Sequence, residues 1–191
     1  MTALYVVGGA ALLLVLGVVV SYNRFVRQRN LVEESWKQVD VELRRRYDLI
    51  PNLVEAVKGY AAHERQTLEA VIAARAAAAA PSGSRTAQGA DETALTYSLR
   101  GLLAVAENYP DLKADSHYRM LQSQLAETED RIAAARRFYN ANVRAYNTRI
   151  DAFPSSVVAG VFNFEKSEYF EVEESAVRGP VGVDFQPGSP A

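Results

Sequence analysis

An uncharged apolar run near the start of the chain, Ala3 to Val20, constrains the fold more than any other feature of the sequence. With its flanking residues it reaches the roughly 20 residues that a helix needs to cross a bilayer core about 30 Å thick. A cleaved signal peptide is the alternative, but such a peptide carries basic residues before its apolar region and a small-residue cleavage site after it. No Lys or Arg precedes this run, and Val18 to Tyr22 is a poor cleavage site. The sequence therefore predicts a transmembrane anchor over residues 1–22.

Three arginines, Arg24, Arg27 and Arg29, directly follow the anchor, whereas no basic side chain precedes it. Membrane proteins keep such positive charge on the cytoplasmic side of the bilayer. We therefore expect a protein that crosses the membrane once, with the bulk of the chain in the cytoplasm. The arginines also form a basic cluster suited to anionic headgroups, so the lipid bilayer is the first expected partner.

Apolar residues beyond the anchor recur with helical spacing. Val32, Trp36, Val39 and Leu43 follow one another at steps of four, three and four residues, which is the spacing of one buried helix face. Similar faces recur later in the chain, and the sequence predicts an all-α fold, an antiparallel up-and-down four-helix bundle. The bundle is expected over residues 23–153, with helices at about 23–48, 51–80, 92–108 and 113–152.

Pro51 interrupts the first of these faces. A proline cannot donate an amide hydrogen bond, and it disfavours helical geometry at the residue before it, here Ile50. Two interpretations are open: a kink within one long helix, or a tight reversal in which Asp48 caps the next helix. We favour the reversal, because the segments on both sides of Pro51 have an apolar face to bury.

The C-terminal part of the chain lacks helical periodicity. We expect residues 154–191 to form a mostly irregular tail that is partly extended or disordered. Tyr169 to Val172 has the alternation of a strand, and Val181 to Phe185 is a candidate for a second extended piece. Proline and glycine recur toward the C-terminus and disfavour regular structure there. For a similar reason, the polar segment Pro81 to Ala90 is expected to be a loop.

Residues that usually carry enzyme chemistry are scarce in this chain. It has no cysteine and two histidines, His63 and His117. A di-metal site in a helical bundle uses Glu-x-x-His pairs, and neither histidine has a glutamate three residues before it. The chain also has neither a nucleophile elbow nor a phosphate-binding loop. We therefore expect a protein that is not an enzyme and that holds no metal or cofactor.

The charge of the chain gives no reason to expect nucleic acid as a partner. Its 21 basic and 23 acidic side chains nearly cancel, whereas nucleic-acid-binding domains are usually strongly basic. The densest basic stretch, Arg44 to Arg46, has Glu42 within reach on the same helix. Such mixed charge predicts a solvated, ion-paired helix surface.

A reversal at Pro51 would bring polar residues from two turns together at the end of the bundle that lies far from the membrane. We interpret these residues as a candidate interaction surface. The alternative is that they only cap helices and complete turns. The candidate surface consists of Tyr47, Asp48, Pro51, Asn52, Glu107, Asn108, Tyr109, Pro110 and Asp111.

Four sequence blocks resemble those of a known family. They are WKQVDVELRRRYDLIPNLVEAVKGYAAHE, AENYPDLKAD, TEDRIAAARRFYNANVRAYN and FPSSVVA. In this order, between about Asn30 and Phe170, they are similar to the blocks of the LemA family. The chain departs from the family pattern mainly in its Pro/Gly-ended tail and in Ser35, where the family often has alanine.

The resemblance carries expectations about architecture and role. It implies a short N-terminal membrane anchor and an up-and-down four-helix bundle at the bacterial inner membrane, in a family without an established biochemical activity. One branch, which includes a magnetosome membrane protein, is tied to membrane-organelle formation, and some members are encoded beside membrane metalloproteases. These links make membrane organisation the expected role, with other membrane proteins, including proteases, as expected partners.

The residues and the resemblance together predict a non-catalytic membrane protein that acts as a scaffold or adaptor. Heptad-like helix faces and an anchor that confines molecules to two dimensions favour self-association, so a homo-oligomer is expected. The alternative is a ligand- or metal-binding helical bundle whose core holds an enzymatic site without a recognisable motif.

Overall fold

The computed structural model describes residues 1–172, and this part of the chain contains six helices and no strand. The predicted all-α class is confirmed for these residues. The predicted extended piece at Val181 to Phe185 lies outside them. In chain order the helices are α1 (Thr2–Lys58), α2 (Arg65–Ala79), α3 (Arg85–Ala106), α4 (Pro110–Ala114), α5 (Ser116–Asp151) and α6 (Ser155–Val161).

The first helix, α1, is unbroken over 57 residues, which corresponds to a length of about 85 Å. Its first part contains a stretch long and apolar enough to cross a membrane, and no side chain of that stretch is buried in the fold. Its second part lies in the core, where Val39, Leu43 and Ile50 are buried. The apolar run and the first helix of the folded domain therefore belong to one helix.

The predicted reversal at Pro51 is wrong, because α1 continues through this proline to Lys58. Pro51 has no amide hydrogen to donate to the carbonyl of Tyr47, its helical partner four residues earlier. That carbonyl instead accepts a hydrogen bond from Nε of Arg75 in α2, at 2.6 Å. A side chain of α2 thus replaces the donor that proline removes, and the chain turns only between Gly59 and Glu64.

Helix α5 packs along the part of α1 that follows the apolar run. Phe25 and Tyr146 meet at one end of this pair, with ring centroids 6.3 Å apart. At the other end the hydroxyl of Tyr60 donates to Oδ2 of Asp115 at 3.2 Å, so the two helices are antiparallel. The buried residues of α5 follow helical spacing; they are Tyr118, Leu121, Leu125, Thr128, Ile132, Tyr139, Val143, Tyr146 and Asn147.

The α2–α3 hairpin is shorter than the α1–α5 pair that it packs against. Near the end of α2, the carbonyl of Ala78 lies 2.9 Å from the hydroxyl of Tyr47. At the start of α3, a guanidinium nitrogen of Arg85 lies 4.0 Å from the carboxylate of Glu33. The hairpin therefore reaches α1 only from about Glu33 onward, and it leaves the part of α1 nearest the apolar run to other elements.

Helix α3 begins at Arg85, so the prediction of a loop over Pro81 to Ala90 is wrong for its second half. The side chain of Ser84 accepts a hydrogen bond from the amide of Ala87 at 3.1 Å. Serine in this position caps a helix by satisfying one of its free amide groups. The cap explains why α3 starts before the first apolar residues of its periodic pattern.

Part of the predicted irregular tail is ordered against the helices. The prediction is wrong for residues 155–161, which form α6 and contact α1 and α5. Residues 162–172, here called the C-terminal segment, have neither helix nor strand. The strand predicted at Tyr169 to Val172 is therefore wrong, although Phe170 in it is fully buried.

Asn163 redirects the chain after α6. Its φ of 52° lies in the left-handed region, which asparagine tolerates better than most residues. The C-terminal segment then runs back along α1. Phe164 stacks on Phe25 with ring centroids 4.8 Å apart, and Phe170 meets Trp36 with centroids 5.1 Å apart. The segment thus covers the part of α1 that the α2–α3 hairpin leaves open.

The contact between Arg75 and the Tyr47 carbonyl can be tested by a double-mutant cycle. Arg75→Ala should lower the free energy of unfolding by about 1–3 kcal/mol, because it leaves a partly buried carbonyl without a donor. In a Pro51→Ala background the backbone amide returns, so the same change should cost clearly less. Chemical unfolding in detergent, followed by circular dichroism, measures both differences.

Arg65→Ala is the matched control, since Arg65 lies on the same helix and is exposed; it should change stability by less than about 0.5 kcal/mol. An equal cost of Arg75→Ala with and without Pro51 would contradict the proposed replacement of the donor.

Candidate functional site

An open cleft of about 710 Å³ lies between α1 and the turn that joins α2 to α3. Two residues of the predicted interaction surface, Tyr47 and Asp48, line this cleft. The other lining residues come from all three helices and the turn, and they carry charges of both signs. They include Trp36, Asp40, Arg44, Arg75, Arg85 and Gln88.

The floor of the cleft is a buried polar cluster. The hydroxyl of Tyr47 lies 2.9 Å from the carbonyl oxygen of Ala78 and also contacts the carboxylate of Glu92. Nε2 of Gln88 donates to the Ala78 carbonyl at 2.9 Å and to Oε1 of Glu92 at 3.1 Å. These contacts join α1, α2 and α3 at one point.

Arg46 extends this cluster to a fourth helix. Its guanidinium forms an ion pair with Glu92 of α3, and Nη1 lies 2.9 Å and 3.2 Å from the two carboxylate oxygens of Glu129 in α5. Arg46 is 2% exposed and Glu92 is 1% exposed. Charges buried this deeply are costly unless they are paired, so the ion pair fixes α1 and α3 in one mutual register.

Burial also determines the chemistry of Tyr47. Removal from water raises the pKa of its phenol to about 12, although the positive charge of Arg46 acts in the opposite direction. At neutral pH the phenol is therefore protonated, so it can donate or accept a hydrogen bond but cannot act as a general base. The cluster has the properties of a structural network that borders the cleft.

Arg85 lies beside Trp36 in the wall of the cleft. The guanidinium carbon of Arg85 lies 3.9 Å from the centroid of the Trp36 ring, which is the geometry of a cation–π contact. Beside it, Arg44 pairs with Asp40 at 3.0 Å. The cleft therefore presents paired charges and an aromatic ring, a surface suited to binding a polar segment of another protein.

Two asparagines of α5 hold the C-terminal segment through its backbone. Asn140 donates to the carbonyl of Phe170 and accepts from its amide, both at 3.0 Å. Asn147 makes the same pair of bonds to Ser167, both at 2.9 Å. Each asparagine therefore pairs with one amide and one carbonyl of the extended segment. In a β-sheet, a neighbouring strand would make these backbone hydrogen bonds.

The start of α3 holds the same segment from the other side. The amide groups of Arg85 and Thr86 donate to the carboxylate of Glu168, at 3.0 Å and 3.4 Å, a favourable position for a negative charge at a helix N-terminus. A Cβ at Gly89 would collide with the carbonyl oxygen of Glu171. Glycine at this position therefore permits the close approach of the segment to α3.

The structure separates the residues of the predicted interaction surface. Tyr47 is buried and Asp48 lines the cleft, whereas Pro51 and Asn52 are exposed farther along α1. A second group of these predicted residues, Glu107 to Asp111, lies beyond the end of α3, where Glu107 pairs with Lys113. Because α1 does not reverse at Pro51, these groups do not meet at one tip; their role in binding a partner stays a prediction. The second group comprises Glu107, Asn108, Tyr109, Pro110 and Asp111.

The predicted basic cluster lies just beyond the apolar run. Arg24, Arg27 and Arg29 are all exposed on α1, and the guanidinium carbon of Arg29 lies 5.8 Å from the ring centroid of Phe164. Their contact with lipid headgroups stays a prediction. No group of three or more His, Asp or Glu side chains converges as a metal site within residues 1–172.

Sequence reasoning missed the residues that join the helices, although their positions carry a signal. Arg46 lies three residues after Leu43 and four before Ile50, which places an arginine on the apolar face of α1. Glu92 similarly precedes Leu95 by three residues on the apolar face of α3. A charge on a buried face requires a partner, so this pattern could have indicated the ion pair.

Comparison with known proteins finds a matching family and several similar chains. A family model described as the LemA family matches residues 35–185. Magnetosome protein MamQ 2 of Paramagnetospirillum magneticum is 29% identical over 176 residues, which cover 78% of this chain and 64% of that protein. Magnetosome protein MamQ of Magnetospirillum gryphiswaldense is 28% identical over 174 residues, with the same two coverages.

A further relative, Protein LemA of Metamycoplasma hominis, is 25% identical over 165 residues, which cover 82% of this chain and 75% of that protein. The chain thus spans less than two thirds of the length of the two magnetosome proteins that it matches. The similarity includes the region that carries the buried cluster and the cleft.

The buried ion pair should be the most sensitive point of the folded domain. Glu92→Ala leaves the buried Arg46 with Glu129 alone and should lower the free energy of unfolding by about 3 kcal/mol, the lower end of the range for a broken buried pair. Glu127→Ala is the matched control, because Glu127 pairs with Arg131 on the surface and such pairs contribute less than about 1 kcal/mol. Chemical unfolding in detergent compares the two variants; similar losses would refute the importance of the buried pair.

Proposed function

The chain belongs to the LemA family, and on that premise we propose that it is a non-catalytic single-pass membrane protein that acts as a scaffold or adaptor. We place it at the bacterial inner membrane. The observation that carries this proposal is the continuity of α1 from the apolar run into the core of the folded domain. A helix without a linker holds the domain at a fixed distance from the bilayer.

The helices packed on α1 extend this rigidity to the whole domain. Arg46 of α1 binds carboxylates of α3 and α5, and Arg75 of α2 binds the α1 backbone. We propose that α1, α2, α3 and α5 act as one antiparallel up-and-down bundle. Such a unit presents its surfaces to partners in a constant arrangement, which is what a scaffold requires.

We propose that the folded domain lies in the cytoplasm. The support is the position of Arg24, Arg27 and Arg29, which are exposed directly after the apolar run and follow the positive-inside pattern. Two of the relatives are named magnetosome proteins, and we propose membrane organisation as the process. Other membrane proteins, including membrane proteases, are the partners that we propose for an adaptor role.

The outer side of the α1–α5 pair offers a surface for self-association. An open groove of about 500 Å³ runs between the two helices and is lined mainly by apolar atoms of Val41, Phe138 and neighbouring alanines. Val41 and Phe138 are both exposed. Glu42 and Arg131 also line the groove and pair with each other across it at 4.0 Å.

A second copy of the chain is the occupant that we propose for this groove. In a twofold dimer each surface meets its own copy, so Val41 and Phe138 of one molecule can pack against the same apolar groove of the other. Anchoring in the same bilayer confines both copies to two dimensions and raises their effective concentration. A modest apolar surface can therefore suffice for assembly in the membrane.

Substitutions in the groove test the self-association. Val41→Glu should reduce crosslinked dimers and larger species several-fold in native membranes, because it places a charge in the apolar contact. Ile72→Glu is the matched control, since Ile72 is an exposed apolar residue on α2, away from the groove. Both variants should keep the unfolding midpoint of the unmodified protein, because neither side chain is buried.

A uniformly monomeric unmodified protein, both in membranes and after mild solubilisation, would refute the self-associating scaffold. Equal loss of crosslinking in the two variants would show that the groove is not the interface.

A further inference from the structure

An exposed apolar surface lies at the end of the folded domain nearest the apolar run. Val157 and Val161 are one turn apart on the same side of α6, and both are exposed, whereas Val158 on another side is buried. Phe153, just before α6, is 85% exposed, and Val161 is 69% exposed. We call Phe153, Val157, Val161 and the half-exposed Phe162 the α6 face. Several exposed apolar side chains close together along the chain favour a contact with a membrane or another molecule.

The α6 face lies beside the last turns of the apolar run. The ring centroid of Tyr22 is 4.9 Å from that of Phe162 and 5.6 Å from that of Phe164. Val18, within the run itself, is partly buried against the folded domain. When the run crosses a bilayer, Tyr22 falls at the headgroup layer, where tyrosine is favoured. The α6 face then lies at the same depth as the headgroups and the first acyl carbons.

Positive charge accompanies this surface. Arg24 and Arg27 are exposed on the adjacent turns of α1, and no salt bridge involves either of them within residues 1–172. Arg149 lies close by, with its guanidinium carbon 5.8 Å from the centroid of Phe25. Burial lowers the pKa of Arg149, and the nearby positive charge of Arg24 lowers it further; two like charges placed close together repel each other. Anionic headgroups would relieve that repulsion.

We propose that the α6 face inserts into the headgroup and upper acyl region of the leaflet next to the folded domain, as a second membrane attachment beside the transmembrane helix. A short element with apolar side chains on one side and basic residues near its edge is suited to this layer. Continuity with the apolar run favours lipid over a second copy of the chain, because lipid surrounds every anchored molecule at this depth. The exposed Arg24 and Arg27 also suit anionic headgroups better than an equally basic second copy.

A second attachment would restrict the motion of the folded domain relative to the membrane. One helix alone leaves the domain free to tilt and rotate, whereas two contacts fix its orientation to the membrane plane. The inserted side chains also add apolar volume to one leaflet only. The inference rests on the membrane placement proposed above and extends it to a surface outside the transmembrane stretch.

The chain has no cysteine, so single nitroxide labels can be placed at will. Full-length protein would carry a label at Leu12→Cys in the apolar run, at Val161→Cys in the α6 face, or at Ala62→Cys in the distant turn after α1. Each would be placed, one protein per disc, in nanodiscs containing phosphatidylglycerol. Electron paramagnetic resonance then compares label accessibility to oxygen, which enters lipid, and to a water-soluble nickel chelate.

The Val161 label should show an oxygen-to-nickel accessibility ratio several-fold higher than the Ala62 label and lower than the Leu12 label. If the Leu12 label is in lipid but the Val161 label matches the Ala62 label, the second attachment is refuted and the membrane placement stands. If the Leu12 label itself is open to the nickel chelate, both proposals fail. The Val161 label could also be shielded from the nickel chelate in liposomes that hold many copies of the protein but not in nanodiscs that hold one. That result would assign the α6 face to a second copy and overturn the lipid contact.

Discussion

A proline inside a helix leaves one carbonyl without its donor, and in this chain a side chain from the next helix supplies the replacement. Nε of Arg75 binds the Tyr47 carbonyl that Pro51 cannot reach. As a result α1 passes through the proline, and the other described elements are arranged along it. Helix α5 packs against its length, α3 is tied to it through Arg46, and the C-terminal segment covers the part near the apolar run. The proposed scaffold role depends on this continuity.

Much of this architecture follows from periodicity in the sequence. The uncharged run and the three-and-four spacing of α5 are local patterns, so they predict an anchor-length helix and a long amphipathic helix correctly. The direction of the chain at Pro51 is not a local property. A proline predicts only that a donor is missing; whether the helix ends there depends on Arg75, which is brought to Tyr47 by the fold. The reversal prediction failed for this reason.

The candidate site was less predictable than the fold, because its bonds join distant parts of the chain. Tyr47 and Asp48 were identified as polar residues near a break, and both line the cleft, but their supposed neighbours lie elsewhere. Arg46 was interpreted as part of a solvated surface, although its spacing places it on a buried face. The pairing with Glu92 and the role of Asn140 in holding the C-terminal segment depend on contacts between helices that periodicity does not specify.

The continuity of α1 can be measured directly as a distance within the molecule. Spin labels at Asn30→Cys and Lys58→Cys, both exposed positions, would be compared by double electron–electron resonance in the full-length protein. An unbroken α1 predicts a separation of about 42 Å between the two backbone positions. A chain that reverses at Pro51 would instead bring them to about 20 Å, and that result would contradict the passage of α1 through Pro51 to Lys58.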